Sequence, residues 1–156
     1  MSAIPVPHLN FHGVAREALE FYAEAFHGRA MVRTYADVGM PADAPGADRV
    51  VFGQVVGQDG FTVMAYDIPG ATGPVITGFT TRENGVTITD QPFFLSLSAA
   101  DLGDAQGWWE ALAEGATVIE PLAASPWSAG FGMLADRFGV TWVINVMEVE
   151  AEPASA

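Results

Sequence analysis

The chain contains no cysteine, which excludes disulfides, thiolate zinc sites and a cysteine nucleophile. Basic residues are scarce, six Lys and Arg against nineteen Asp and Glu, for a net charge of −13. That balance opposes the counterion-release attraction on which phosphate-backbone binding depends, so neither nucleic acid nor an anionic membrane is an expected partner. No run approaches the ~20 apolar residues of a membrane helix. The start, MSAIPVPHLNF, lacks a basic stretch followed by a long apolar run, and the expected location is the cytoplasm. Glycine is plentiful, yet neither a GxxxxGK[ST] run nor a GxGxxG crossing occurs, so no phosphate-cradling loop is expected.

What remains is a chain of 156 residues, half of them hydrophobic, enough to bury a sizeable core in one domain. That domain is expected over 1–147, with a first module at about 4–68, an inter-module segment at about 69–91 and a second module at about 92–147. Residues 148–156, EVEAEPASA, are acidic and small, with nothing to bury, and read as a disordered tail.

The strongest pattern is repetition. Phe52-Gly53 and Gly60 recur as Phe131-Gly132 and Gly139 at an offset of 79, and Ala18, Phe21-Tyr22 and Gly28 recur as Ala105, Trp108-Trp109 and Gly115 at an offset of 87. Two copies of one structural unit are implied, with a ligand expected between them. The eight-residue difference between the offsets places an excess in the first copy, and GMPADAPGAD, a Pro/Gly/Asp loop, supplies it.

In the first copy, alternation over Val6 to Phe11 predicts a strand. Ala15, Ala18, Leu19, Tyr22 and Phe26 fall at helical spacing, with Gly28 as a C-terminal cap. Strands follow at Met31 to Tyr35, Val50 to Val56 and Phe61 to Tyr66, the last two joined by a tight turn at Asp59-Gly60. The second copy repeats the order: a strand at Phe93 to Ser98, a helix from about Leu102 to Ala113, and strands at Thr117 to Glu120, Phe131 to Ala135 and Thr141 to Val146. The fold class is therefore α+β, two paired βαβββ modules forming an incomplete mixed β-barrel with backing helices. Between them Asn84-Gly85, inside Phe79 to Thr89, predicts an added hairpin that would cover a pocket or pair with a second subunit.

Alternation also predicts which side chains face a cleft. If Leu9 and Phe11, like Leu95 and Leu97, lie under the helices, then His8 and Asn10, with Phe94 and Ser96, face inward. Trp142, Ile144 and Val146 lie behind, leaving Thr141, Val143 and Asn145 inside, with Thr62, Met64 and Tyr66 as first-module partners. The expected result is a cavity of mixed polarity with aromatic walls, as in small-molecule sites. Trp127, in the loop before a cavity strand, is placed to stack on a planar ligand or simply to pack. Of Trp108 and Trp109 one reads as core and the other as core or interface, His12 and His27 as solvated element ends, and Asp67 and Asp136 as turn residues.

PHLNFHGVAREALEFYAEAF and PWSAGFGMLADRFGVTWVIN, with Trp127, Phe131-Gly132, Asp136, Phe138-Gly139 and Trp142, resemble the PhnB-like branch of the vicinal oxygen chelate superfamily, which includes glyoxalases and bleomycin-resistance proteins. The resemblance implies paired βαβββ modules and frequent homodimers. In catalytic branches it also implies a divalent metal held by one residue from each of four strands. Those four positions fall on His8, Met64, Phe94 and Val143. One imidazole, a thioether and two hydrocarbons are a poor set for Mg, Mn, Zn or Ni. Shifting the register by one brings in Thr62, Thr141 or Ser96, none a strong ligand.

The expectation is thus a homodimeric protein of undefined activity. It would take a small, partly apolar or aromatic ligand at His8, Asn10, Met64, Tyr66, Phe94, Ser96, Trp127, Val143 and Asn145, with no metal and no cofactor. An enzyme of glyoxalase or dioxygenase type stays open, its metal completed by another chain or its chemistry carried by His8 as acid/base with Tyr66. So does a structural dimer without catalysis.

Overall fold

The computed structural model describes residues 2–75 and 78–147; the acidic tail expected at 148–156 lies outside them. The chain divides into two compact units, Met1–Ile76 and Thr77–Ala156, one for each copy of the repeat. The first unit contains β1 (His8–Phe11), α1 (Ala15–Ala25), β2 (Arg29–Thr34), β3 (Val50–Val56) and β4 (Thr62–Asp67). Its four strands lie in the order β1-β4-β3-β2, with β1 parallel to β4 and the other pairs antiparallel. The second unit begins with a hairpin, β5 (Thr80–Glu83) and β6 (Val86–Thr89). It continues through β7 (Leu95–Ala99), α2 (Leu102–Leu112), β8 (Thr117–Ser125), β9 (Ser128–Ala135) and β10 (Thr141–Val146). Its main sheet runs β7-β10-β9-β8, again with one parallel pair, β7 with β10. Both modules are therefore βαβββ with the same strand order, and both sheets are open.

The alternation expected of β1 is observed: Leu9 and Phe11 are buried, His8 and Asn10 exposed. α1 buries Ala15, Ala18, Leu19, Tyr22 and Ala25, one stripe of the helix, against its sheet. In module two Leu95, Trp142, Ile144 and Leu112 are buried on the corresponding side. The repeated Phe-Gly pair has a packing cause in both copies. A Cβ on Gly53 would collide with Leu19 Cδ1 and lie 2.9 Å from the Ala65 carbonyl oxygen; one on Gly132 would lie 2.8 Å from the Trp109 ring. Each glycine admits a helix side chain onto its sheet. Trp108 and Trp109 are both half-buried, and the Trp109 ring lies over Gly132.

The end of α1 departs from expectation. His27, not Gly28, takes the left-handed conformation (φ 51°). Its N–H reaches the Glu24 carbonyl, while the Gly28 N–H donates to Ala23 at 2.8 Å, the two bonds of a Schellman motif. Gly28 is required for another reason, because its Cβ would strike the Val56 carbonyl and Gly57. At Asp59-Gly60 (φ 58° and 83°) and Asn84-Gly85 (φ 51° and 78°) the chain makes the two-residue turns with positive φ that such pairs favour. The excess in module one forms the 35–49 connection, which opens with a short 3-10 turn, Ala36–Val38.

β8 and β9 run further than expected, to Ser125 and from Ser128. Pro121 is tolerated because β8 is the edge strand of its sheet and its pairing with β9 is irregular at Glu120 and Ala123. His12, expected to be solvated, is half-buried, and its Nδ1 is enclosed without a hydrogen-bond partner.

Candidate functional site

The face of the module-one sheet turned away from α1 is built row by row from strand register. Met31 on β2 pairs with Gln54 on β3, Gln54 with Met64 on β4, and Met64 with His8 on β1. On one side of this row Arg33 lies beside Phe52 and Asn10 beside Tyr66; on the other Arg29 pairs with Val56 and Val56 with Thr62. Because β-strand side chains alternate, these residues share one face, opposite Gly53, Ala65, Leu9 and Phe11. Met31 (60% exposed), Val56 (49%) and Phe52 (37%) leave it unusually apolar for an open surface.

Its polar corner is His8. Nδ1 lies 3.0 Å from Asn10 Oδ1, and the imidazole stands edge-on to Tyr66 with ring centroids 5.3 Å apart. In its Nδ1–H tautomer His8 donates to Asn10 Oδ1, and the Nε2 lone pair is then left to accept a hydrogen bond from a ligand. His8, Asn10, Met64 and Tyr66 therefore come together as expected. Gln54, Met31, Phe52 and Val56 join them. Sequence reasoning passed over these four, although Gly53 on the helix side of β3 already places Phe52, Gln54 and Val56 on the other.

In module two the corresponding face is occupied. Arg82 from β5 lies over the Phe131 ring, 4.4 Å from its centroid. Thr87 from β6 reaches the Met133 sulfur at 3.6 Å, and Gln91 accepts from the Thr141 hydroxyl at 3.2 Å. Arg82 is fixed further by donating to Thr87 at 3.0 Å. The inter-module hairpin thus packs over Phe131, Met133 and Thr141, leaving Met133 and Thr141 buried. Val143 pairs with Ser96, and Asn145 lies beside Ser98 and Phe131. Phe94 sits half-buried just before β7. Trp127 stands in the turn between β8 and β9, directly before β9 and 83% exposed.

The donor set does not match a hard divalent ion. His8 and Met64 are adjacent on paired strands, but a thioether is a soft ligand and Gln54 the next polar group in the row. Among the described residues no three His, Asp or Glu side chains gather as a metal-holding group.

Two aspartates expected only to make turns do more. Asp136 Oδ1 accepts the N–H groups of Phe138 and Val140 at 2.9 and 3.1 Å, and Oδ2 accepts the indole N–H of buried Trp142 at 2.9 Å. Asp67 Oδ1 accepts from Gly13 and Ala15 at 2.8 and 3.0 Å, and Oδ2 from Val50 at 3.0 Å. Val14, at the start of α1, provides no side-chain cap, so Asp67 caps that helix from β4. Asp37 is held below the usual carboxylate range by hydrogen bonds from the Thr34 backbone and side chain.

Comparison with known proteins places this architecture. A family model described as the Glyoxalase/Bleomycin resistance protein/Dioxygenase superfamily matches residues 9–144. The protein PA1353 from Pseudomonas aeruginosa superimposes with a TM-score of 0.73 at 29% identity, covering 95% of this chain and 100% of that one. The PhnB protein from Bacillus cereus gives a TM-score of 0.70 at 21% identity, covering 93% and 100%. Protein YjdN from Escherichia coli is 32% identical over 56 residues, a match spanning 36% of this chain and 38% of that protein's length.

Proposed function

The chain belongs to the Glyoxalase/Bleomycin resistance protein/Dioxygenase superfamily, and from that premise we propose that it is a small-molecule binding protein that holds its ligand without a metal. The ligand rests on the open face of module one. A planar, partly apolar molecule lies over Met64, Phe52 and Met31, with a hydrogen-bond donor directed at His8 Nε2 and further polar contacts at Asn10 and Gln54. The observation that carries this reading is the bonding of His8 to Asn10 at 3.0 Å, which orients a polar group within an exposed apolar face. No reaction is assigned, and a sequestering role fits a site with one oriented imidazole and no metal-ligand set.

A thermal-shift screen of planar aromatic compounds, followed by titration of any hit against wild type, His8→Ala and Met64→Ala, tests it. A hit weakened roughly ten-fold by either substitution supports the reading, as loss of one oriented contact is worth about 1.4 kcal/mol. Equilibrium dialysis provides the opposing outcome: stoichiometric tight binding of a divalent ion that disappears in His8→Ala overturns it. The same Nδ1–H tautomer favours a second reading, in which His8 Nε2 acts as a general base beside Tyr66. Turnover of a bound compound that is lost in His8→Gln while binding persists would select it. The exposed Met31, Phe52 and Val56 would equally be covered in a homodimer. Sedimentation of wild type against Val56→Asp separates that outcome, since a charge there disperses a dimer and leaves a monomer's mass unchanged.

A further inference from the structure

Module one also holds a concavity of about 320 Å³, lined by residues other than His8, Asn10, Met64 and Tyr66. That is near the lower end of the range for small-molecule sites, about 300–1,000 Å³. One wall comes from the 35–49 connection, the excess that module two lacks, and the other from the segment after β4. Met40, Pro45 and Pro69 give it an apolar side; Tyr35, Arg49 and Thr72 give it a polar one. Arg49 ties the walls together, its Nη1 donating to the Ala71 carbonyl at 2.6 Å.

All six basic residues of this acidic chain are arginines, and four of them, Arg16, Arg29, Arg33 and Arg137, are exposed. Half-buried Arg82 is stacked on Phe131. Arg49 is half-buried too, but it makes no ion pair among the described residues. The Asp67 carboxylate is buried and taken up by three backbone N–H groups. A guanidinium carries five N–H donors, and a half-desolvated one without a counter-charge is unfavourable until an anion supplies both charge and acceptors. The Ala15 N–H at the start of α1 is held by Asp67 as well. A single cation with no helix terminus behind it suits one negative charge and not a phosphate dianion.

We propose that this cavity binds a small organic monocarboxylate, its carboxylate on Arg49 and its apolar body against Met40, Pro45 and Pro69. Its lining shares no residue with His8, Asn10, Met64 and Tyr66, and the proposal does not depend on the reading of that face.

The test is an NMR titration of the full chain with benzoate and, separately, with its neutral isostere benzamide. Benzoate is expected to shift the Met40 methyl and the Gly46 and Gly70 amides saturably in the millimolar range or below. Benzamide should bind roughly ten-fold more weakly, and Arg49→Met should abolish the difference. Because Arg49 also braces Ala71, Met40→Trp is the second variant: it fills the cavity with Arg49 in place and should remove benzoate binding while the rest of the spectrum is unchanged. Benzoate and benzamide binding equally, no saturable shift at these residues, or binding that survives Met40→Trp would each overturn the proposal. Shifts confined to Met64 and Tyr66 would also overturn it, while leaving the ligand reading of the His8 face standing.

Discussion

Leu19 seats its Cδ1 where a side chain on Gly53 would stand, and Trp109 occupies the equivalent space above Gly132. The contacts leave no room for a methyl group on either strand, since the Ala65 carbonyl oxygen and the Leu122 backbone close the other side at 2.9 Å. Gly53→Ala and Gly132→Ala are each expected to destabilise their module by about 1–3 kcal/mol through overpacking. Gly107→Ala is the contrast. That glycine lies inside α2 with nothing within 4 Å of an added Cβ, and the change should stabilise by about 0.5–1 kcal/mol. Urea unfolding of the three variants reads both signs in one experiment.

Asp67 satisfies three backbone N–H groups, those of Ala15 and Val50 being buried. Asp67→Ala is expected to cost on the order of 3 kcal/mol, at about 1–3 kcal/mol for each buried donor left without an acceptor. Asp67→Asn retains one carbonyl oxygen and should lose roughly half as much. The loss should appear first as accelerated amide exchange at Ala15 and Ala18.

Burial pushes the Tyr35 phenol above its ordinary 10.0, with Tyr66 and Asp67 adding to the rise and Arg49 opposing it. A folded state that resists this ionisation is favoured while the phenol stays protonated. The contribution is therefore fully present below pH 10.0 and lost as pH rises through the higher folded value. A phenolate also cannot donate to the Asp67 carbonyl, which the Tyr35 hydroxyl reaches at 2.7 Å. The urea midpoint of wild type should fall more steeply than that of Tyr35→Phe as the pH is raised above 10.0. At neutral pH Tyr35→Phe should cost about 1 kcal/mol for the lost hydrogen bond.

The hairpin over module two is held in part by Arg82 on Phe131. A double-mutant cycle of Arg82→Met and Phe131→Leu should give a coupling of about 0.5–1 kcal/mol, rising where the pair is desolvated. Hydrogen exchange at Thr81 and Ile88 reports whether the hairpin has come loose.

Where one residue type answers one backbone demand, sequence reading reached the structure. Leu9 and Phe11 against His8 and Asn10, the two positive-φ turns and the shared strand order follow from alternation, turn chemistry and repetition. Gly28 misled because two demands meet there: it looked like the left-handed cap, while close approach to Val56 had already claimed it and His27 took the strained conformation. Pro121 masked the extension of β8, since whether a proline can stay in a strand depends on which edge is unpaired, a tertiary fact. The half of the candidate site in module one was legible from period two alone. That Arg82, Thr87 and Gln91 would close over the other module required knowing where a hairpin of neutral, Thr-rich composition would dock.

The two helices are capped in ways that separate them in time. Asp101 accepts the Asp104 N–H at 2.8 Å from within the first turn of α2, so that helix can begin as soon as its own residues are available. α1 waits for an acid 52 residues further along the chain. Its first turn is complete only after β4 has come alongside β1, a long-range closure that costs loop entropy before any contact rewards it. Two copies of one architecture are thus set to fold on different schedules, the later copy nucleating locally and the earlier one held back until its last strand arrives.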